Sequence, residues 1–163
     1  ILSIIEILFL RRFLKKVFYL IIFFLVSYNF YAIIKTHPFQ SIYFNSLMSK
    51  ERKNLYEGDF HGLAVKHFFT EILSKNKKNI INIGVASHTP IQRGLESFPV
   101  NYDKKLKILG QEYSKADYIF KNNISEVNSK LIKKYHIPNN FSKVYELEVD
   151  KVIIYEIYKR NNY

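Results

Sequence analysis

The chain has 163 residues, 48% of them hydrophobic and 17% aromatic, which excludes a disordered or collagen-like polymer. It has no cysteine, so disulfide frameworks, zinc–thiolate sites and cysteine nucleophiles are excluded as well. The formal charge is +11, from 25 Lys and Arg against 14 Asp and Glu, a balance that fits nucleic acid or a membrane surface as partner. Composition weakens that inference. Lys outnumbers Arg 20 to 5, and Lys, Asn, Ile, Phe and Tyr supply 83 of the residues. All five are encoded by codons with only A or T in the first two positions. An AT-rich gene produces such a charge without selection for a partner.

The first residue is Ile1, and residues 1–10 are mostly apolar. They are expected to be the end of an earlier membrane helix in a truncated chain. Arg11, Arg12, Lys15 and Lys16 follow, and residues 11–16 are expected as a cytoplasmic loop. A secretory signal has the reverse order, basic residues first and a small-residue cleavage site last. Residues 17–34 hold 18 positions without a charge. As a helix they would run about 27 Å, near the thickness of a bilayer core. Residues 17–35 are therefore expected to span the membrane, with Tyr19, Tyr28 and Tyr31 at the interfaces. The basic cluster before the span places it in the cytoplasm and residues 36–163 outside. Glu6 in an apolar helix needs protein or water beside it, which points to further helices as partners.

Residues 36–58 read as an elbow at the membrane surface. The segment Thr36-His-Pro-Phe-Gln-Ser-Ile-Tyr-Phe-Asn gathers His37, the amides Gln40 and Asn45, and aromatic Phe39, Tyr43 and Phe44. Pro38 ends the helix. Two readings stay open: a purely structural amphipathic elbow, or the lip of a site for a lipid-linked substrate.

Residues 59–163 read as a small external α/β (α+β) domain carrying a mixed sheet of about four strands. Residues 59–73 predict a helix with Asp59 as N-cap and Val65, Phe68, Phe69, Ile72 and Leu73 as its apolar stripe. Residues 80–85 predict a strand, 106–113 a helix, 116–120 a second strand and 125–135 a helix. Residues 143–149 and 152–158 flank Asp150-Lys151, which predicts a closing β-hairpin. The two-residue loop sets Val149 opposite Val152, Leu147 opposite Ile154 and Val144 opposite Ile157, with Glu146 and Glu148 on the outer face.

Chemical motifs are few. Glycine-rich phosphate loops and Gly-x-Ser-x-Gly elbows are missing from the sequence. His61 and His67 lie six apart, whereas a zinc-binding helix uses three or four. The lysines are spread along the chain and not gathered on one aromatic-rich face, so nucleic acid is not expected as a partner.

One resemblance gathers these pieces. His37-Pro38-Phe39-Gln40-x-x-Tyr43-Phe44-Asn45, then Tyr56-Glu57-Gly58-Asp59-Phe60-His61-Gly62, resembles the C-terminal region of bacterial family 39, dolichyl-phosphate-mannose–protein mannosyltransferase-like membrane glycosyltransferases. Ala116-Asp117-Tyr118, Tyr135-His136-Ile137-Pro138 and Ile157-Tyr158-Lys159 match later pieces in order, so the likeness covers residues 14–160. Phe60 and His61 stand where the family has Tyr and Trp, and Lys151 stands where a hairpin Gly is common. The resemblance implies an enzyme of the bacterial inner membrane that takes a sugar from a polyprenyl-phosphate donor. It also implies a periplasmic C-terminal domain and a catalytic carboxylate in an earlier external loop, outside these residues. No catalytic residue, metal or cofactor is therefore assigned here. His37, Gln40, Tyr43, Asn45, Asp59 and His61 form the candidate structural or substrate-side motif. The partners implied are the lipid bilayer, further membrane helices of the same protein and the polyprenyl-phosphate sugar. The competing class is a non-enzymatic, membrane-anchored interaction domain.

Overall fold

The structure is a computed structural model that describes residues 4–42, 48–53, 55–56, 58–59, 62–96, 98, 102, 104–124 and 135–161. The chain divides into two units, residues 1–40 and 41–163.

The first unit is one long helix, α1 (Ile4–Thr36). Residues 11–16, expected as a loop between two membrane helices, lie inside it, so the two expected helices are one. The reason is local. No Gly or Pro occurs between positions 4 and 36, and Arg, Lys and Leu are good helix formers. Leu10–Thr36 is long and apolar enough to cross a membrane, and its most apolar 18-residue window has mean hydropathy 2.2. Its large side chains are exposed all round, Phe23, Val26, Phe30 and Tyr31 among them. A helix apolar on every side suits lipid, not a one-sided protein core. The helix ends at Thr36, whose hydroxyl donates back to the Ala32 carbonyl at 3.0 Å. Pro38 cannot extend the backbone ladder beyond it.

The second unit is an α+β domain around a five-stranded mixed sheet in the order β2-β1-β3-β5-β4. Its elements are α2 (Lys50–Lys53), α3 (Leu63–Lys75), β1 (Ile81–Val85), α4 (Gln92–Leu95), β2 (Leu106–Gly110), β3 (Tyr118–Lys121), β4 (Phe141–Val149) and β5 (Val152–Arg160). β1 pairs in parallel with β2 on one side and β3 on the other. β5 runs antiparallel between β3 and β4.

The extra strand is β2, where a helix was expected. Leu106-Lys-Ile-Leu has helix-forming side chains, but pairing along β1 overrides that preference. Gly110, at φ 60, ends the strand in a conformation that favours glycine. The helix expected over 125–135 falls mainly on residues outside those described.

Both sheet faces are packed. On one, α3 buries Val65, Phe68, Phe69 and Ile72 of the stripe read from its period, and Leu73 of that stripe is half-buried. Phe68 stacks edge-on against Phe120 of β3 and Tyr155 of β5, with ring centroids 5.0 and 6.2 Å apart. Each such buried ring contributes about 1.5–3 kcal/mol of transfer free energy. On the other face Ala86, Ala116, Ile119 and Phe141 form a cluster flanked by Tyr113, Tyr135 and Tyr158. Gly84 is required there, because a Cβ would lie 2.9 Å from the Tyr113 ring.

The hairpin turns on Asp150 and Lys151 at φ 48 and 67, the left-handed pair that matches strand twist. Val149 pairs with Val152 as expected. Further out the register differs. Leu147 faces Tyr155 and Tyr145 faces Ile157, because Ile154 and Val144 are extra residues at two bulges. The first bulge explains why consecutive Ile154 and Tyr155 are both buried.

Candidate functional site

Of the motif residues, His37, Gln40 and Asp59 are described, whereas Tyr43, Asn45 and His61 lie outside the described residues. His37 and Gln40 sit just past the end of α1, where Phe39 N–H donates to the Thr36 carbonyl at 2.6 Å. Gln40 Nε2 lies 2.7 Å from His37 Nδ1. An amide nitrogen only donates, so Nδ1 accepts and the neutral ring carries its proton on Nε2. Both side chains are exposed. The pair thus presents an oriented N–H donor at the end of an apolar helix, a group that suits an anionic oxygen.

Asp59 belongs to the second unit and is buried. Both carboxylate oxygens lie 3.2 Å from the Ala64 N–H. Asp59 does cap α3, though not from the N-cap position. The helix starts at Leu63, four residues later than expected, and Gly62 stands at the N-cap with φ 68. The Gly62 N–H closes a turn onto the Asp59 carbonyl at 3.0 Å, which carries the carboxylate under the first helical turn. A carboxylate there also meets the positive end of the helix dipole.

The segment before Asp59 is tied to the hairpin tip. Lys53 of α2 is buried, and its Nζ donates to Asp150 Oδ2 at 2.7 Å. Lys50 reaches Glu148 at 2.8 Å. Gly58 lies against β5, where a Cβ would stand 3.2 Å from Val152 and 3.4 Å from the Ile153 carbonyl. Sequence reasoning missed this clamp. Its residues are about a hundred positions apart, and nothing local in Lys-Glu-Arg-Lys identifies a buried lysine.

A second polar group lies at the carboxyl ends of β1 and β3. The chain leaves β1 to one side for β2 and returns on the other for β3, so this is a topological switch point, the usual ligand position in open α/β sheets. Buried Asn122 Nδ2 donates to Thr89 Oγ1 at 2.7 Å, and its Oδ1 accepts from Ile124 N–H at 3.1 Å. Ser87 Oγ accepts from the Thr89 N–H at 3.2 Å. These groups satisfy one another, and the knot joins two loops. The available signal was Ser87-His88-Thr89 and Asn122-Asn123, polar runs that directly follow apolar strands.

His67 lies on α3 with Nδ1 2.7 Å from the Tyr155 hydroxyl. Burial pushes the Tyr155 phenol well above its ordinary range, so it stays neutral. Among the described residues no three His, Asp or Glu side chains are grouped to hold a metal ion. The motif residues Ala116-Asp117-Tyr118 have structural partners. Asp117 Oδ2 accepts from the Asn82 N–H at 2.9 Å, and the Tyr118 hydroxyl accepts from Asn76 at 2.9 Å.

Compared with protein-family models, curated proteins and solved structures, the chain matches none.

Proposed function

We propose that this chain is the C-terminal part of an integral-membrane glycosyltransferase that uses a polyprenyl-phosphate sugar. In this reading α1 is a membrane span, and residues 41–163 form a periplasmic domain that is structural or acceptor-side. The observation that carries it is the His37–Gln40 pair directly after an apolar helix of membrane-spanning length. The pair fixes an imidazole N–H as donor where a lipid-linked phosphate headgroup would sit. Such a charge-assisted hydrogen bond favours the phosphate oxygen over neutral acceptors. The ordered match of His37-Pro38-Phe39-Gln40 and the later motifs adds to it. The catalytic carboxylate belongs to other membrane loops of the same protein, so residues 1–163 bind and support without performing the transfer.

The test uses membranes holding the complete gene product. Sugar transfer from a radiolabelled polyprenyl-phosphate donor is measured for the natural protein and for His37→Ala. Transfer that falls about tenfold in the variant, with KM for the donor raised, supports the reading, a loss of one charged hydrogen bond being worth about that factor. Membranes that transfer no sugar from any polyprenyl-phosphate donor overturn it.

A further inference from the structure

Two clefts of about 120 and 250 Å³ meet on the sheet domain, and Tyr118 and Lys159 line both. Together they pass the lower size limit of small-ligand pockets, about 300 Å³. Their characters differ. The smaller is polar and cationic, with Asn76, Lys78, Asp117 and Arg160 around the shared pair. The larger is mainly apolar, with Ile72, Val144, Tyr145 and Ile157 beside the Glu71–Lys75 ion pair.

The charges do not balance. Lys78 is paired with Asp117 at 2.7 Å, and Lys75 with Glu71. Arg160 gives its guanidinium hydrogen bonds to the carbonyls of Ala116, Tyr113 and Ser114, at 2.8, 2.7 and 2.8 Å. Its guanidinium also lies over the Phe141 ring, 4.9 Å from the centroid, so Arg160 is held by the fold and is not offered to a ligand. Lys159 is exposed on β5 and pairs with no carboxylate among the described residues. Lys159 therefore faces the polar cleft without a counter-charge of its own, beside the Lys78–Asp117 pair. The Tyr118 hydroxyl accepts from Asn76, so its own proton is free to donate to a ligand oxygen.

We infer that the joined clefts bind a phosphate ester carried on a ring. The phosphate takes the polar end, on Lys159, Lys78 and the Tyr118 hydroxyl. The ring lies over Tyr145, Val144 and Ile157. The inference stands apart from the glycosyltransferase reading, because it concerns the sheet domain alone and needs no transfer activity.

The phosphate can come from a soluble sugar phosphate or a lipid headgroup, and the experiment separates them. The full chain in detergent micelles is titrated with glucose 1-phosphate, with glucose, and with short-chain phosphatidylinositol, and followed calorimetrically. The natural chain is expected to bind at least one phosphorylated probe, and glucose not at all. The tighter probe identifies the source. Lys159→Glu, and the milder Lys159→Gln in case the first fails to fold, should weaken that binding about tenfold or more without moving the melting temperature. Added salt should weaken it too. No binding of either phosphorylated probe at about 10 mM, or equal binding by the Lys159 variants, overturns the proposal.

Discussion

Glu146 and Glu156 stand directly opposite each other on β4 and β5, and Lys143 Nζ binds both, at 2.6 and 3.1 Å. Like charges in that position destabilise a sheet. Here Lys143 bridges them, and Lys121 reaches Glu156 from β3 at 3.3 Å. Burial works against the Glu156 charge, but the hydrogen bonds and charges of Lys143 and Lys121 outweigh it and hold its titration below the ordinary value. A depressed carboxylate stabilises the fold above its unfolded-state pKa and loses that contribution as pH falls through the folded value. Acid unfolding should therefore begin below about pH 4.3. Glu156→Gln should flatten that limb of the stability curve, measured by circular dichroism of the full chain in micelles. Lys143→Met should cost about 1 kcal/mol at neutral pH, most of the attraction being screened by solvent.

The hairpin tip separates a charge effect from a backbone effect. Asp150→Asn keeps a residue that tolerates positive φ but leaves buried Lys53 without its carboxylate. A loss of about 2–3 kcal/mol is expected in urea denaturation, somewhat below that of a fully buried pair because Asp150 is partly exposed. Lys53→Met removes the buried charge as well and should cost less. Equal losses for the two variants would count against the clamp.

Lys151 sits at φ 67, where glycine is at ease and lysine is strained. Lys151→Gly should stabilise the chain by about 0.5 kcal/mol, the relief of strain exceeding the added freedom of the unfolded state. A lower melting temperature would show that the lysine side chain contributes more than its backbone costs.

Gly94 in α4 is fixed by packing and not by its φ. A Cβ there would collide with Cγ1 of buried Val65 on α3. Gly94→Ala should cost about 1–3 kcal/mol, as overpacked cores do. Pairing it with Val65→Ala should restore part of the loss, and a double variant whose losses simply add would contradict direct contact.

What could be read in the sequence was local and periodic. The α3 stripe, β1, β3 and the hairpin turn each follow from side-chain spacing within a dozen residues. The single helix in place of helix–loop–helix was also legible, had basic residues been weighed as helix formers and not as loop markers. β2 was not legible, since five residues of mixed propensity take their strand state from β1. The bulges at Val144 and Ile154 were not legible either. The one at Ile154 lies where Tyr155 is drawn into the core against Phe68 and Phe120, a contact between distant segments. For the site, the Asp59 cap was legible from its distance to the apolar stripe. The Lys53–Asp150 clamp and the cationic cleft join residues that only the fold brings together.

In the proposed topology α1 crosses the membrane and the sheet domain lies on the outer side. These 163 residues contain no cysteine, so an introduced thiol is the single label site among them. Lys16→Cys and Glu96→Cys, both at exposed positions, are each treated in intact bacterial cells with a membrane-impermeant maleimide. With that topology Glu96→Cys is labelled in intact cells and Lys16→Cys only after lysis. Labelling of both variants in intact cells, or of Lys16→Cys alone, would contradict it.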